Sequence, residues 1–250
     1  MYYCCGITDK GVMKHNEDAY MIDGKVMTEG SIDCMVREPF IAAVSDGVSG
    51  ENSGEFASEM CLELMSRVDY SSGVDLEETV MSVHSQLARI GSAKSSTHNM
   101  QATLCAVVID EEECLHTINV GDSRMYRYRG GDIKQISKDQ SLVQMLFDEG
   151  TITEKEKATH IHKNIIFPVM GNVSSEPQPD IRNLNEIMKY GDVLLICSDG
   201  LSDYVSPTDM EDILALPAKL PRRLQKLVKL AIDNGSPDNI TIVALCCYDK

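Results

Sequence analysis

Ile41-Ala42-Ala43-Val44-Ser45-Asp46-Gly47 is an apolar run that stops on an acid and a glycine, and the chain repeats it at Leu194-Leu195-Ile196-Cys197-Ser198-Asp199-Gly200. A third run, Ile118-Asn119-Val120-Gly121, delivers Asp122. Short apolar runs bounded by turn formers read as buried strands. A single Asp-Gly is ordinarily a hairpin turn, which requires a return strand directly afterwards. Residues 48–58 read instead as a loop and the start of a helix, and the residues after Gly200 read as irregular. The acids therefore stand at strand ends, where several carboxylates leaving one sheet edge repel one another unless a cation holds them.

Working outward, strands are expected at 2–8, 19–22 and 40–45, then two amphipathic helices. Phe56, Met60, Leu64 and Val68 recur at every fourth residue, and Leu76, Val80, Val83, Leu87 and Ile90 make a second stripe. Residues 103–109 and 114–120 flank an acidic turn, and 124–129 and 132–136 flank Gly130-Gly131, a hairpin signal. From 141 to 180 the pattern loosens into short helical pieces, followed by a strand at 193–197, a helix at 222–232 and a strand at 240–248. Strand-rich blocks separated by paired helices predict an α+β domain with helices covering sheet faces. No low-complexity linker or repeat divides it, so a single domain over 1–250 is expected.

Bulk composition narrows the function classes. The net charge of −16, from 23 basic and 39 acidic residues, opposes binding to nucleic acid or to anionic lipid. No apolar stretch is long enough to span a membrane, and the first residues carry no secretory pattern. The nine cysteines are odd in number and lack a Cys-x-x-Cys pair, as expected of reduced, packed thiols in a cytoplasmic protein.

Glu17-Asp18 and Asp238 join the three strand-end acids as candidate ligands. Oxygen-only donors suit hard cations such as Mg²⁺ and Mn²⁺, and dinuclear oxygen-ligated sites commonly activate a water for attack on phosphorus.

In order along the chain stand Thr8-Asp9-x-Gly11, Asn16-Glu17-Asp18, Ser45-Asp46-Gly47-x-x-Gly50, Gly54-Glu55-x-Ala57-Ser58 and Asn119-x-Gly121-Asp122-Ser123-Arg124-x-Tyr126. Lys138-Asp139-x-Ser141, Cys197-Ser198-Asp199-Gly200-Leu201-Ser202-Asp203 and Asp238-Asn239-Ile240-Thr241 follow. Together these resemble the metal-dependent serine/threonine protein phosphatases of type 2C, over nearly the whole chain. The segment from Leu146 to Gly171 is similar to the flap of their bacterial members.

The resemblance implies a four-layer α-β-β-α sandwich of two antiparallel sheets flanked by helices, with a flap at about 141–180 and metals at one end. It implies two core Mn²⁺ or Mg²⁺ ions, with a third in some members. By similarity Asp46 bridges the core pair, Asp199 and Asp238 complete the first ion, and Glu17 with the Gly47 carbonyl holds the second. Asp122 and Asp199 match a third site, and Asp18 supports from behind. The activity implied is hydrolysis of phosphoserine and phosphothreonine in phosphoproteins by a water activated between two ions. A monomer that opposes a serine/threonine kinase is the expected setting.

Two departures stand out. Met13 occupies the place of the family's phosphate-gripping arginine, leaving Lys14 or His15 as substitutes, and a lysine offers no bidentate fork. Val48 stands where some relatives carry a histidine after Asp-Gly. The missing arginine motivates a competing reading, a phosphoprotein-binding pseudophosphatase. A hydrolase of small phosphate esters is a third. Asn119, Ser123 and Arg124 are expected to serve the turn around Asp122, and His160 and His162 to be solvated.

Overall fold

Strands that are apolar on both faces need cover on both sides, and that requirement organises this chain. The computed structural model describes residues 1–48, 53–71, 73–93, 97, 100–184 and 188–247. Its strands form two six-stranded sheets in which every pairing is antiparallel.

The first sheet runs in the order β4 (Gly30–Val36), β1 (Tyr2–Asp9), β12 (Ile240–Cys247), β11 (Val193–Cys197), β8 (Arg124–Arg129) and β9 (Asp132–Gln135). The second runs β10 (Asp180–Asn183), β7 (Leu115–Val120), β6 (Leu104–Ile109), β5 (Phe40–Asp46), β2 (Asp18–Ile22) and β3 (Lys25–Met27). Residues alternate between two apolar layers along the central strands. In β5, Phe40, Ala42 and Val44 enter the core between the sheets, whereas Ile41 and Ala43 pack under the helices α1 (Gly54–Met65) and α2 (Leu76–Ser92). In β12, Val243 and Leu245 point into the core between the sheets. Ile240, Ile242 and Ala244 meet α5 (Asp199–Ser202), α6 (Pro207–Leu214) and α7 (Leu220–Asp233). Three apolar cores thus separate four layers, as the resemblance implied.

Gly6 sets the close approach of the sheets. A Cβ placed on it would lie 2.2 Å from the ring of Tyr20, which reaches across from β2. The segment 141–180 carries α3 (Leu142–Asp148) and α4 (Glu154–Thr159), and is stitched back by bridges between Ser141 and Ile166 and between Ala102 and Met170. No helix among the described residues is long and apolar enough to cross a membrane.

Several expectations need adjustment. Residues after Gly200, read as irregular, form the short α5 and then α6, whose first turn carries Pro207 and a Ser206 cap accepting from Asp209 N. Strands β3, β4 and β10 were not foreseen, because they are short or at sheet edges and are mostly polar on one side. The helix expected at 222–232 begins two residues earlier, with Pro221 in its first turn, where no amide hydrogen is needed. Gly50, in the quoted motif, and Tyr248, at the expected strand end, lie outside the described residues.

Candidate metal centre

Register brings the acids together. In the pairing of β2 with β5, Asp18 stands directly opposite Asp46, an arrangement that like charges disfavour. β11 ends beside them and hands the chain to Asp199, the first residue of α5. β12 begins at Ile240, two residues after Asp238, and Asp122 follows β7 through Gly121.

Asp18, Asp46 and Glu17 are positioned through backbone groups or small polar side chains. Ser198 Oγ donates to Asp18 Oδ2 at 2.7 Å, and Ser198 Oγ in turn accepts from Thr241 N at 3.1 Å. Asp46 is gripped through its backbone: its N–H donates to Thr103 Oγ1 at 3.0 Å and its carbonyl accepts from Thr103 N at 2.8 Å. Thr103, a structural residue if read as an isolated strand position but a match to a threonine near the site in the family resembled, therefore sets the height of Asp46. Glu17 N donates to Asn239 Oδ1 at 2.7 Å, and the Glu17 carbonyl accepts from Gly47 N at 3.1 Å. A Cβ on Gly54 would stand 2.5 Å from Glu17 Oε2 and 3.1 Å from the Gly47 carbonyl oxygen. The Glu17 carboxylate and the Gly47 carbonyl, the pair expected to serve one ion, thus converge above a glycine whose missing side chain leaves them room.

Electrostatics report the crowding. Burial, and then repulsion from Asp18, Asp199, Asp238 and Asp122, push the Asp46 carboxyl well above the usual carboxylate range. Burial raises Asp18 to about 7, with the hydrogen bonds from Thr241 and Ser198 pulling the other way. Asp199 is raised to about 7, by burial and then by Asp238 and Asp203. Asp122 is raised by burial and by Asp199 and Asp139, and Glu17 by burial and by Asp238 and Glu55. Asp199 Oδ1 is buried with no hydrogen-bond partner. A buried, partnerless carboxylate oxygen among mutually repelling acids is the condition a hard cation relieves. Among the described residues no three of these side chains already stand together as a closed metal cage.

Lys14 is exposed on the loop between β1 and β2, and Asn239 Nδ2 pins that loop by donating to the carbonyls of Lys10 and His15, each at 3.0 Å. Of the two substitutes expected for the arginine, His15 is the one near enough to Glu17 to oppose the rise of that carboxyl, more weakly than burial, Asp238 and Glu55 drive it. Met13 is exposed, like Lys14.

A second network was not legible in advance. Arg124, expected only to shape the turn at Asp122, forks onto Asp139 through Nε and Nη2 and also meets Asp203 at 3.2 Å. Lys157 and Lys163 of the flap segment reach the same acids, Asp139 at 3.4 Å and Asp203 at 2.9 Å. Lys138-Asp139 and Asp203 were visible as motif members, but their partner across the fold was not. Asn119, as expected, serves the turn, donating to the carbonyls of Gly121 and Lys138. His162 is exposed, and His160 is half-buried.

The profile of the family described as Protein phosphatase 2C matches residues 31–229. The chain belongs to the protein phosphatase 2C family. Among protein phosphatase 2C relatives, the serine/threonine protein phosphatase PstP of Mycobacterium tuberculosis is 30% identical over 248 residues, which are 97% of this chain and 44% of that protein. The chain therefore spans less than half the length of that relative. The serine/threonine phosphatase stp of Listeria welshimeri is 29% identical over 246 residues, covering 94% of this chain and 92% of that one. The crystal structure of the catalytic domain of a PstP in complex with two manganese ions superposes with a TM-score of 0.79 at 29% identity, covering both chains fully at 100%. The four-layer architecture is that of the protein phosphatase 2C fold.

Proposed function

We propose that this chain hydrolyses phosphoserine and phosphothreonine in phosphoproteins, as a single metal-dependent catalytic domain over residues 1–250. The observation that carries the reading is the convergence of half-buried carboxylates around the buried Asp18 on one mouth, with Asp199 Oδ1 left without a partner. Asp46, Asp199 and Asp238 would hold one divalent ion, Mn²⁺ or Mg²⁺. Asp46, Glu17 and the Gly47 carbonyl would hold the other, and Asp122 with Asp199 would offer a third position. Bound there, the ions supply an activated water and neutralise charge on the phosphoryl oxygens.

The chain's own residues do the positioning. Ser198 orients Asp18 behind the ligand set, and Thr103 fixes Asp46 at the end of β5. Asn239 holds the loop that carries Lys14 and His15 at the rim, where a phosphate would meet them. Lys14 is the proposed contact to the substrate phosphate, as a point charge in place of a guanidinium fork.

The proposed setting is cytoplasmic, supported by nine cysteines that are all free. The proposed partners are phosphoproteins that a serine/threonine kinase has modified, met by a monomer. No nucleic-acid or membrane partner is proposed, given the net charge of −16.

The test is phosphate release from a phosphothreonine peptide with Mn²⁺, compared with EDTA and with Asp46→Asn. Turnover that needs both the metal and Asp46 supports the reading. A folded, ion-loaded protein that binds the phosphopeptide and never turns it over would replace it with a binding module.

A further inference from the structure

Helix α7 is the basic exception in an acidic chain. Lys219, Arg222, Arg223, Lys226 and Lys229 fall within eleven residues, and no acid occurs from 213 to 232 in a sequence of net charge −16. Leu220, Leu224, Leu227, Val228 and Ala231 bury the inner face of the helix against the first sheet. Lys219, Arg222, Lys226 and Lys229 are left on the exposed side. Lys229 is neutralised by Asp233, and Arg222 bonds Gln225, whereas Lys219 and Lys226 have no ion pair among the described residues.

At the start of this helix lies a cavity of about 550 Å³, walled by Tyr3, Tyr190, Lys219, Leu220, Arg223 and Cys247 among others. Arg223 Nε is buried there with no hydrogen-bond partner. Tyr190 stands at the rim with 81% of its surface exposed. Of the acids nearby, Asp192 is paired with Arg129 at 2.7 Å and Asp33 accepts from Tyr3 OH at 2.8 Å, so neither satisfies Arg223. The cavity sits at the Cys247 end of β12, whereas the carboxylate mouth sits at the Ile240 end. Seven residues of extended strand put roughly 23 Å between them.

We propose that this cavity and the exposed side of α7 form a docking site for an acidic segment of a protein partner, with a carboxylate on Arg223 and an apolar side chain beside Tyr190 and Leu220. The charge argument is specific to this face. Arg223 lines the cavity and has no ion pair among the described residues, so a carboxylate arriving there meets an unpaired guanidinium. Lys219 and Lys226 extend the positive potential along one helix face, which steers an acidic chain onto it. The occupant is held by contacts independent of the carboxylate mouth, so the inference stands whether or not the chain is a phosphatase.

The probe is a fluorescein-labelled peptide of twelve glutamate and aspartate residues interrupted by one phenylalanine, followed by anisotropy. Binding is expected to weaken about tenfold in the double variant Lys219→Ala/Arg223→Ala, to weaken also in Tyr190→Ala, to fall as salt is raised, and to persist in Asp46→Asn. Tyr190 is exposed enough that its replacement leaves folding intact, which guards against a folding artefact in the double variant. Unchanged affinity in both variants, or no binding by wild type, overturns the proposal. So does sedimentation of the protein with phosphatidylserine vesicles that the peptide fails to compete, which would make the face a lipid dock. A wild-type dimer dissolved by Lys219→Glu/Arg223→Glu would overturn it in favour of self-association.

Discussion

Ser198 donates a 2.7 Å hydrogen bond to Asp18, and through it the end of β11 in one sheet is tied to the start of β2 in the other. The bond lies inside the carboxylate mouth, between a serine that is 0% exposed and an aspartate that is 2% exposed. Thr241 closes the link by donating its backbone N–H to the same hydroxyl, and Thr241 Oγ1 is 2.6 Å from Thr8 Oγ1. Three strands of one sheet thereby fix a carboxylate belonging to the other.

Replacing Ser198 with alanine removes a donor from a buried carboxylate and an acceptor from Thr241 N. The expected cost is about 1–3 kcal/mol of stability, read as a shift in urea midpoint at constant slope. Mn²⁺ affinity is expected to fall as well, because Asp18 loses its orientation. A variant as stable as the parent, with unchanged Mn²⁺ affinity, would show that the bond carries neither role.

The mouth also makes a pH prediction. Asp18 and Asp199 are raised to about 7 in the folded chain, against about 3.9 for an ordinary aspartate. The folded state then binds protons more readily than the unfolded state, so stability falls as pH rises from about 4 to about 7. In EDTA the protein is expected to melt at a higher temperature at pH 6 than at pH 8. Divalent ions require the ionised acids, so saturating Mn²⁺ should raise the melting temperature more at pH 8 than at pH 6. Differential scanning fluorimetry decides it, and a Mn²⁺ effect that is the same at both pH values sinks the idea.

Arg124 and Asp139 form the chain's most buried ion pair among those described, with Asp139 only 2% exposed and Arg124 17%. Burial alone would raise Asp139, but the Arg124 charge and fork hold it below the usual range. Arg124→Ala leaves that acid with Gln135 and Lys157 alone, and should cost roughly 3–5 kcal/mol. Arg124→Lys should recover only part of it, because an ammonium cannot span both oxygens. Equal stability of the two variants would show that the fork geometry is irrelevant.

Gly6→Val tests the spacing of the sheets. The new side chain meets the buried ring of Tyr20, and overpacking of this kind costs about 1–3 kcal/mol. Unfolding midpoints should drop while Mn²⁺ affinity per folded molecule holds, since Gly6 lies mid-strand, away from the acids. The double variant Gly6→Val/Tyr20→Leu should regain stability, and failure to do so would place the strain elsewhere.

How legible was this in the sequence? The strand at 193–197 was readable to the residue because five apolar side chains in a row, bounded by Gly191-Asp192 and Ser198-Asp199, leave one interpretation. The strand-end acids were readable because the same run-then-acid pattern recurs. The edge strand β4, Gly-Ser-Ile-Asp-Cys-Met-Val, alternates too weakly to be told from a loop, and Asp-Ile-Arg-Asn in β10 has a single apolar residue. Helix α6 has a Ser-Pro start, but an apolar stripe that amounts to little more than Met210 and Leu214, the two residues it buries, leaves it without a clear helical period. Pairings across the fold, such as Ser198 with Asp18 or Arg124 with Asp139, join residues 180 and 15 positions apart. No local pattern encodes them, since each exists only once two sheets or two hairpin strands have met.

Strand β1 lies between β4 and β12, with Tyr2 opposite Cys247 and Asp9 opposite Ile240. In order of synthesis β1 precedes the other strands described here, and β12, its partner, follows them. Five neighbouring strands of the other sheet, from β2 to β7, have by then been made, and their hairpin-like pairings are local enough to form early. Asp238 travels just ahead of β12, so the carboxylate mouth gains its final acid in the same event that closes the first sheet. Until that moment β1 offers an open edge, an opportunity for mispairing with other nascent chains. Assembly of the proposed ion site and disappearance of the sticky edge are therefore one step, and ions taken up at the mouth would hold that step shut.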